Sequence, residues 1–196
     1  MKYGKFVDAE GNIAFKLNFL AQALDSDDTG RVHLKYIYIK PAGKDGCLLA
    51  TATNGRHLHS VVFTANEAEY YSIKPGYWRV LMTNEDRVWI TRLENKETKD
   101  FVYPAWQKVI PMKQPEYETT FSGFTLSTTD EEKSNHQNLA EFFHNFPSLI
   151  ALNLGYLHAL GSRHEWKVEW YGKNSVLKFS CGDFLALIMP IFTGEV

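Results

Sequence analysis

The sequence predicts an α+β fold in which antiparallel sheets carry short helices on one face. Alternation of apolar and polar residues predicts strands, most clearly at 87–93 and 166–170. An Asn-Gly pair at 54–55 reverses the chain between two further strand-like runs. A unit of short helix, polar turn, strand, turn and strand occurs at 75–102 and again at 154–189. These observations predict duplicated modules of the same kind.

Composition favours a folded protein without a strongly basic surface. Of the 196 residues, 44% are hydrophobic and 14% aromatic, which is enough to build a core. The formal net charge of −2 argues against a protein that grips nucleic acid over its whole surface, although it allows a local basic lining. Residues 1–6 lack the apolar core of a signal peptide, and no run approaches the roughly 20 apolar residues of a membrane span. We therefore expect a cytoplasmic protein that does not bind membranes.

In the first half of the chain, the patterns predict two short helices among several strands. Apolar residues at 17, 20, 21 and 24 repeat at helical spacing, so Asn18 or Lys16 is expected to face solvent. A second helix is predicted at 77–82, because Pro75 precedes apolar residues with helical spacing. Strands are predicted at 32–40, 48–53, 57–63 and 87–93, with a polar link at 64–69.

A polar, proline-containing stretch at 112–118 is the best candidate for a domain boundary, because it offers few core contacts. We therefore predict domains at 1–112 and 113–196. Helices are expected at 139–146, which Pro147 would end, and at 155–161, which ends on glycine. The remaining segments are predicted as strands at 119–128, 149–154, 166–170, 175–179 and 184–193, and as an exposed acidic loop at 129–135.

The hairpin at 48–63 presents polar groups at its turn. Asn54-Gly55 suits a type I′ turn, in which both central residues have positive φ. Arg56, His57 and His59 follow the turn and would form a partly basic corner on a rigid sheet. An Asn-Gly hairpin by itself specifies a turn and no chemistry.

The sequence gives little support to an enzyme or a metal protein. His57 and His59 would share one face of a strand, as a metal pair requires, but no third ligand lies nearby in the sequence. Cys47 and Cys181 lie far apart in apolar contexts, which favours small buried residues over a nucleophile or a disulfide. The tryptophans fall within alternating apolar patterns, which favours a core role over base stacking. We expect no catalytic residue, no metal and no cofactor.

Three segments, in this order, resemble the bacterial DNA polymerase III beta sliding clamp family. Residues 50–58 read ATATNGRHL, residues 103–111 read YPAWQKVIP and residues 187–191 read LIMPI. The corresponding family segments usually read Ala-Thr-Asp-Gly-His-Arg-Leu and Phe-Pro-Asp-Tyr-Arg-Arg-Val-(Ile/Leu)-Pro, followed by a C-terminal Met-Pro strand. Residues 153–160 also resemble the family's last helix. The resemblance covers most of 12–111, as the middle clamp domain, and about 150–193, as part of the last domain.

The resemblance implies a DNA-clamp-like fold and a non-enzymatic processivity factor for DNA replication. The family forms a ring of six similar domains around duplex DNA, with helices lining the hole and sheets outside. It implies Lys16, Lys74 and Arg79 as the DNA-facing residues, a thin set that suits non-specific sliding rather than tight binding. With two domains per chain, six domains require three copies, so the implied ring is a head-to-tail homotrimer.

The family also implies a hydrophobic pocket between the last two domains that takes a short linear peptide from a DNA polymerase or clamp loader. A rigid hairpin, a proline wall and an adaptable Met-Pro strand suit peptide anchors. Carried over by position, the pocket residues are Thr53, Gly55, Arg56, His57, Leu58, Pro104, Lys108, Val109, Met189, Pro190 and Ile191.

The chain also departs from the family pattern. Asn54 stands where the family has Asp, and Arg56-His57 reverses the usual His-Arg order. The first domain of the family has no counterpart among these residues, and 112–149 matches poorly. The alternative interpretation is therefore a reduced, clamp-derived module that keeps the peptide pocket, forms no ring and does not hold DNA.

Overall fold

The computed structural model describes residues 6–25, 30–84, 86–122, 139, 142–147, 150–161, 165–172 and 174–191. The chain divides into two compact units, Met1–Pro104 and Ala105–Val196. The boundary predicted after residue 112 lies slightly further along the chain. Antiparallel strands and a few short helices form the described parts of both units, which confirms the predicted α+β class.

The described part of the first unit contains a six-stranded antiparallel sheet in the order β1-β6-β5-β2-β3-β4. Its strands are β1 (Phe6–Glu10), β2 (Ile37–Pro41), β3 (Leu48–Thr53), β4 (His57–Phe63), β5 (Gly76–Thr83) and β6 (Arg87–Arg92). Its helices are α1 (Gly11–Ala21), α2 (Ala65–Tyr70) and α3 (Asn95–Thr98), with a 3₁₀ helix at Val32–Lys35.

The second unit, where the structure describes it, contains four antiparallel strands in the order β10-β9-β8-β7. They are β7 (Tyr117–Phe121), β8 (Trp166–Trp170), β9 (Leu177–Cys181) and β10 (Phe184–Ile188). Its helical segments are α4 (Leu154–His158), a 3₁₀ helix at Trp106–Val109 and helical backbone at 142–144. Phe121, Phe142 and Phe179 pack together in its core. Across the described residues of both units, no helix has the length and apolar character needed to span a membrane.

Strand register divides the side chains of the first sheet between two faces, because directly opposed residues point the same way. The opposed pairs on one face are Ile37 with Trp78, Ile39 with Ala50, and Ala52 with His59. Helix α1 covers this face, since its Phe19 ring stacks on the His59 ring at a centroid distance of 4.0 Å. We call it the helix face. Tyr38, Thr51 and Arg79 lie on the opposite face.

Lys16 does not face solvent, so the prediction is wrong for this residue. Only 2% of the residue is exposed, and its Nζ lies 2.9 Å from Oε2 of Glu67 on α2. The same ammonium donates to the carbonyl oxygen of Val62 at 2.8 Å and lies 5.8 Å from the centre of the Phe63 ring. A buried ammonium needs such partners. Lys16 therefore joins α1, β4 and α2.

The same pair affects the Glu67 carboxyl. Its partial burial favours the neutral acid, but hydrogen bonds from Lys16 and from the Thr64 backbone outweigh it and lower the pKa of Glu67. Glu67 and Thr64 also form a capping box that starts α2.

Several predicted elements differ from the observed ones. The helix predicted at 77–82 is strand β5, because Tyr77, Trp78 and Val80 fit a half-buried pleated surface better than their helical spacing suggests. The link predicted at 64–69 contains α2, and the strand predicted at 32–40 begins with a 3₁₀ helix. In the segment predicted as a strand at 149–154, Ala151 makes an isolated bridge to Ile191. The acidic loop predicted at 129–135 lies outside the described residues.

Replacing Lys16 by methionine should lower the free energy of unfolding by about 2 kcal/mol, less than the loss of a fully buried pair because Glu67 is one-fifth exposed. Urea denaturation of the full chain measures this. Glu67→Gln keeps the capping box and removes the charge. The double variant should therefore lose less than the two single losses added together. Additive losses would contradict a coupled ion pair.

Candidate functional site

The hairpin at 48–63 forms, but its turn is not the type I′ turn predicted for Asn54-Gly55. β3 and β4 are joined by the three residues 54–56, and among them Gly55 alone has a positive φ, of 87°. The Asn54 side-chain oxygen accepts hydrogen bonds from the backbone N–H groups of Arg56 and His57 at 2.9 and 3.0 Å. This local turn stabilises Asn54 without a positive φ.

Thr53 and Arg31 fix the backbone of the hairpin tip. The Thr53 hydroxyl donates to the His57 carbonyl at 2.6 Å and accepts from the Gly55 N–H at 3.0 Å. Arg31 Nη2 donates to the Asn54 carbonyl at 3.1 Å, and a Cβ on Gly55 would lie only 2.5 Å from Arg31 Nη1. The positive φ thus favours glycine at position 55, and the Arg31 guanidinium would have to move to admit a Cβ there. Sequence reasoning missed Arg31, because no local pattern links it to a turn so far along the chain.

His57 and His59 lie on one face of β4, as the sequence predicted, and both contact the C-terminal end of α1. His59 Nδ1 lies 2.5 Å from the Phe19 carbonyl oxygen, and His57 Nε2 lies 3.2 Å from that of Gln22. The last carbonyls of a helix lack intrahelical partners, and histidine side chains can satisfy them. The two imidazoles therefore cap α1. Within the described residues, no group of three or more His, Cys, Asp or Glu side chains is arranged to hold a metal ion.

Burial makes these histidines hard to protonate. Complete burial of His59 lowers its pKa to about 3; the Phe19 carbonyl opposes the shift and neighbouring His57 adds to it. His57 is less buried, and desolvation lowers its pKa against the effect of the Gln22 carbonyl. Neutral His59 donates its Nδ1 proton to Phe19, and its Nε2 has no hydrogen-bond partner among the described residues.

The other proposed pocket residues differ in exposure. In the first unit, Thr53, His57 and Leu58 are buried, whereas Gly55, Arg56 and Pro104 are exposed. In the second unit, Lys108 and Val109 lie on the 3₁₀ helix and are exposed. Half of the Val109 surface is accessible to solvent, at 50%. Met189 and Pro190 follow β10 and are half-buried. Ile191 is 52% exposed although its backbone N–H donates to the Ala151 carbonyl at 2.7 Å.

The three residues expected to face DNA lie in different environments. Lys16 is buried in its ion pair with Glu67. Arg79 lies on the face opposite the helices, where its Nη2 donates to the Tyr36 hydroxyl at 3.2 Å and its guanidinium lies 5.5 Å from the Tyr36 ring centre. Lys74 is exposed in the turn after α2. Only Lys74 of the three is both exposed and next to the helices.

The free energy of unfolding should fall as the pH is lowered from 6.5 towards 3, because unfolded His59 binds a proton in this range and folded His59 does not. Full stability from this group is present above pH 6.5, and about 2 kcal/mol should be lost by pH 5. Urea denaturation at several pH values measures the slope. His59→Gln should flatten it, whereas His144→Gln, at an exposed position, should leave it unchanged. Equal slopes for the wild type and His59→Gln would contradict this assignment.

Comparison with known sequences identifies no relative: no protein-family model matches the chain, and no curated protein matches it. Solved structures do match it. The DNA polymerase sliding clamp of Bacillus subtilis superposes with a TM-score of 0.58 at 13% identity, covering 99% of this chain and 66% of the clamp chain. This chain therefore spans slightly less than two thirds of the length of that clamp.

Two other clamp structures give the same result. The Helicobacter pylori beta clamp, bound to a DNA ligase peptide, has a TM-score of 0.55 at 14% identity and covers 98% of this chain and 68% of its own. The Bartonella birtlesii sliding clamp, bound to griselimycin, has a TM-score of 0.55 at 14% identity, and the match covers 98% of this chain and 67% of the clamp chain. The resemblance carried by the three sequence segments is confirmed at the level of the fold. This chain has the fold of the bacterial DNA polymerase III beta sliding clamps.

Proposed function

We propose that this chain is a non-enzymatic, sliding-clamp-like replication factor whose copies assemble head to tail into a ring around duplex DNA. The observation that carries the proposal is the coverage of the structural match, 99% of this chain against 66% of the Bacillus subtilis clamp. A ring of six similar domains needs three copies of a chain with two. The proposed assembly is therefore a homotrimer.

The strand order supports assembly through sheet edges. In the described residues, β1 lies at one end of the first sheet and β7 lies at one end of the second. The outer edge of an antiparallel sheet exposes backbone N–H and C=O groups that can pair with a strand of another chain. A head-to-tail assembly would pair the β1 edge of one copy with the β7 edge of the next.

We assign peptide binding to the residues 53, 55–58, 104, 108, 109 and 189–191. Val109 and Ile191 are half-exposed apolar side chains that suit anchors of a linear peptide, and Arg56 supplies an exposed charge at the rigid hairpin tip. The Helicobacter pylori clamp was solved with a DNA ligase peptide, which supports a peptide as the partner.

The charges of the helices favour a second candidate, the reduced module that binds peptides without holding DNA. Among α1, α2 and α4, the only Lys or Arg is Lys16, which is paired with Glu67. Helix α2 carries Glu67 and Glu69. Helices that line a hole for DNA would be expected to present more positive charge.

Light scattering after size exclusion, over a range of protein concentrations, separates the two candidates. The ring predicts a molar mass close to three times the 22.5 kDa of the chain. A monomer at every concentration would overturn the ring and leave the peptide-binding module.

Replacing Ile191 by aspartate should weaken peptide binding about tenfold or more, because an exposed apolar anchor becomes charged. The probe is a fluorescent peptide with the sequence of the DNA ligase segment bound by the Helicobacter pylori clamp, and anisotropy measures its affinity. Met112→Asp is the matched control, since Met112 is a fully exposed apolar residue outside the assigned set. Equal affinity in Ile191→Asp and Met112→Asp would refute the assignment of Ile191.

A further inference from the structure

We infer that Lys74 and Arg92 together form a contact point for the phosphate backbone of duplex DNA on the helix face of the first sheet. The inference rests on the proposed function and names the residues through which DNA is held. Neither Lys16 nor Arg79 serves this role, because one is buried in an ion pair and the other lies on the opposite face.

Strand register places Arg92 on the helix face. Arg92 of β6 lies directly opposite Trp78 of β5, and Trp78 lies opposite Ile37 in the set that α1 covers. Arg79, one residue along from Trp78, consequently lies on the other face. Arg92 remains exposed at the end of its strand.

Two hydrogen bonds bring Arg92 and Lys74 to the same turn. Arg92 Nε donates to the Pro75 carbonyl oxygen at 3.0 Å, and Trp78 Nε1 donates to the Lys74 carbonyl oxygen at 2.9 Å. A Cβ on Gly76 would lie 2.9 Å from Arg92 Nε and 3.2 Å from Nη2, so glycine allows the guanidinium to lie against the turn. Arg92 is thereby held against the turn through its Nε, and its Nη groups carry further N–H donors.

Some cations of the protein are already paired with carboxylates. Arg87 pairs with Asp8 and Glu10, and Lys167 pairs with Glu118. Within the described residues, neither Lys74 nor Arg92 has a carboxylate oxygen within salt-bridge distance. Two adjacent cations without an internal counter-ion attract an external anion.

Duplex DNA is the partner that these charges fit best. Arginine binds phosphate oxygens through two N–H groups, and lysine acts as a point charge. Contacts to the backbone alone position DNA without reading its sequence, as sliding requires. Helix α2, which precedes Lys74 in the chain, carries the exposed Glu69. The Glu69 carboxylate limits the local positive field.

The test measures binding of the 196-residue chain to a fluorescein-labelled duplex of random sequence, by anisotropy over a series of salt concentrations. Lys74→Glu and Arg92→Glu should each weaken binding and make the slope of log affinity against log salt shallower by about one. Lys40→Glu is the control. Lys40 lies opposite Leu49 on the face away from the helices and has no ion pair among the described residues. The slope of log affinity against log salt for Lys40→Glu should therefore match that of the wild type.

The outcomes separate this inference from the proposed function. If the wild type binds DNA and both Lys74→Glu and Arg92→Glu keep its slope, the contact point is wrong while the clamp-like function stands. If the wild type binds no duplex at any salt concentration, the contact point and the DNA-holding function fall together. Lys74→Glu decides the matter should Arg92→Glu fail to fold, because the Lys74 side chain is exposed and makes no hydrogen bond among the described residues.

Discussion

The attachment of α1 to β4 is the constraint on which the first unit depends. Near its middle, the helix is held by Lys16, which reaches the Val62 carbonyl. At its C-terminal end, the side chains of His59 and His57 form hydrogen bonds with the carbonyl oxygens of Phe19 and Gln22, respectively. β4 thus supplies polar partners along the helix as well as an apolar surface. Because β4 leaves the hairpin turn directly, the same contacts set the position of the candidate peptide-binding tip.

These contacts also decide which groups are left to bind other molecules. A lysine and two histidines, the residue types that most readily suggest phosphate or metal binding, satisfy groups within the fold. The groups left at the surface are exposed ones such as Arg56 on the hairpin tip and Val109 and Ile191 in the second unit. Functional assignment in this chain therefore depends more on exposure and face than on residue type.

The sequence predicted the strands with clear alternation, and the structure has them at β6 and β8. The sequence-based prediction was wrong at β5, where it placed a helix, because the apolar residues of this bulged strand also fit helical spacing. That error reversed the interpretation of Arg79, since neighbouring residues of a strand lie on opposite faces. It could not find the contacts of Lys16 with Glu67 or of Arg31 with Asn54, because the fold brings together residues that no local pattern connects.

In the first unit, the segment 50–58 carries most of the resemblance to the clamps. The burial of these residues shows how much of the resemblance reflects packing. Ala50 and Ala52 are fully buried on the helix face, where β3 packs against α1 and a larger side chain would push the helix away. Thr53 and Gly55 are needed by the turn itself. The similarity of this segment to the clamp family therefore supports the fold more strongly than the peptide site. At the exposed Arg56, where packing does not fix the residue, the sequence departs from the family pattern.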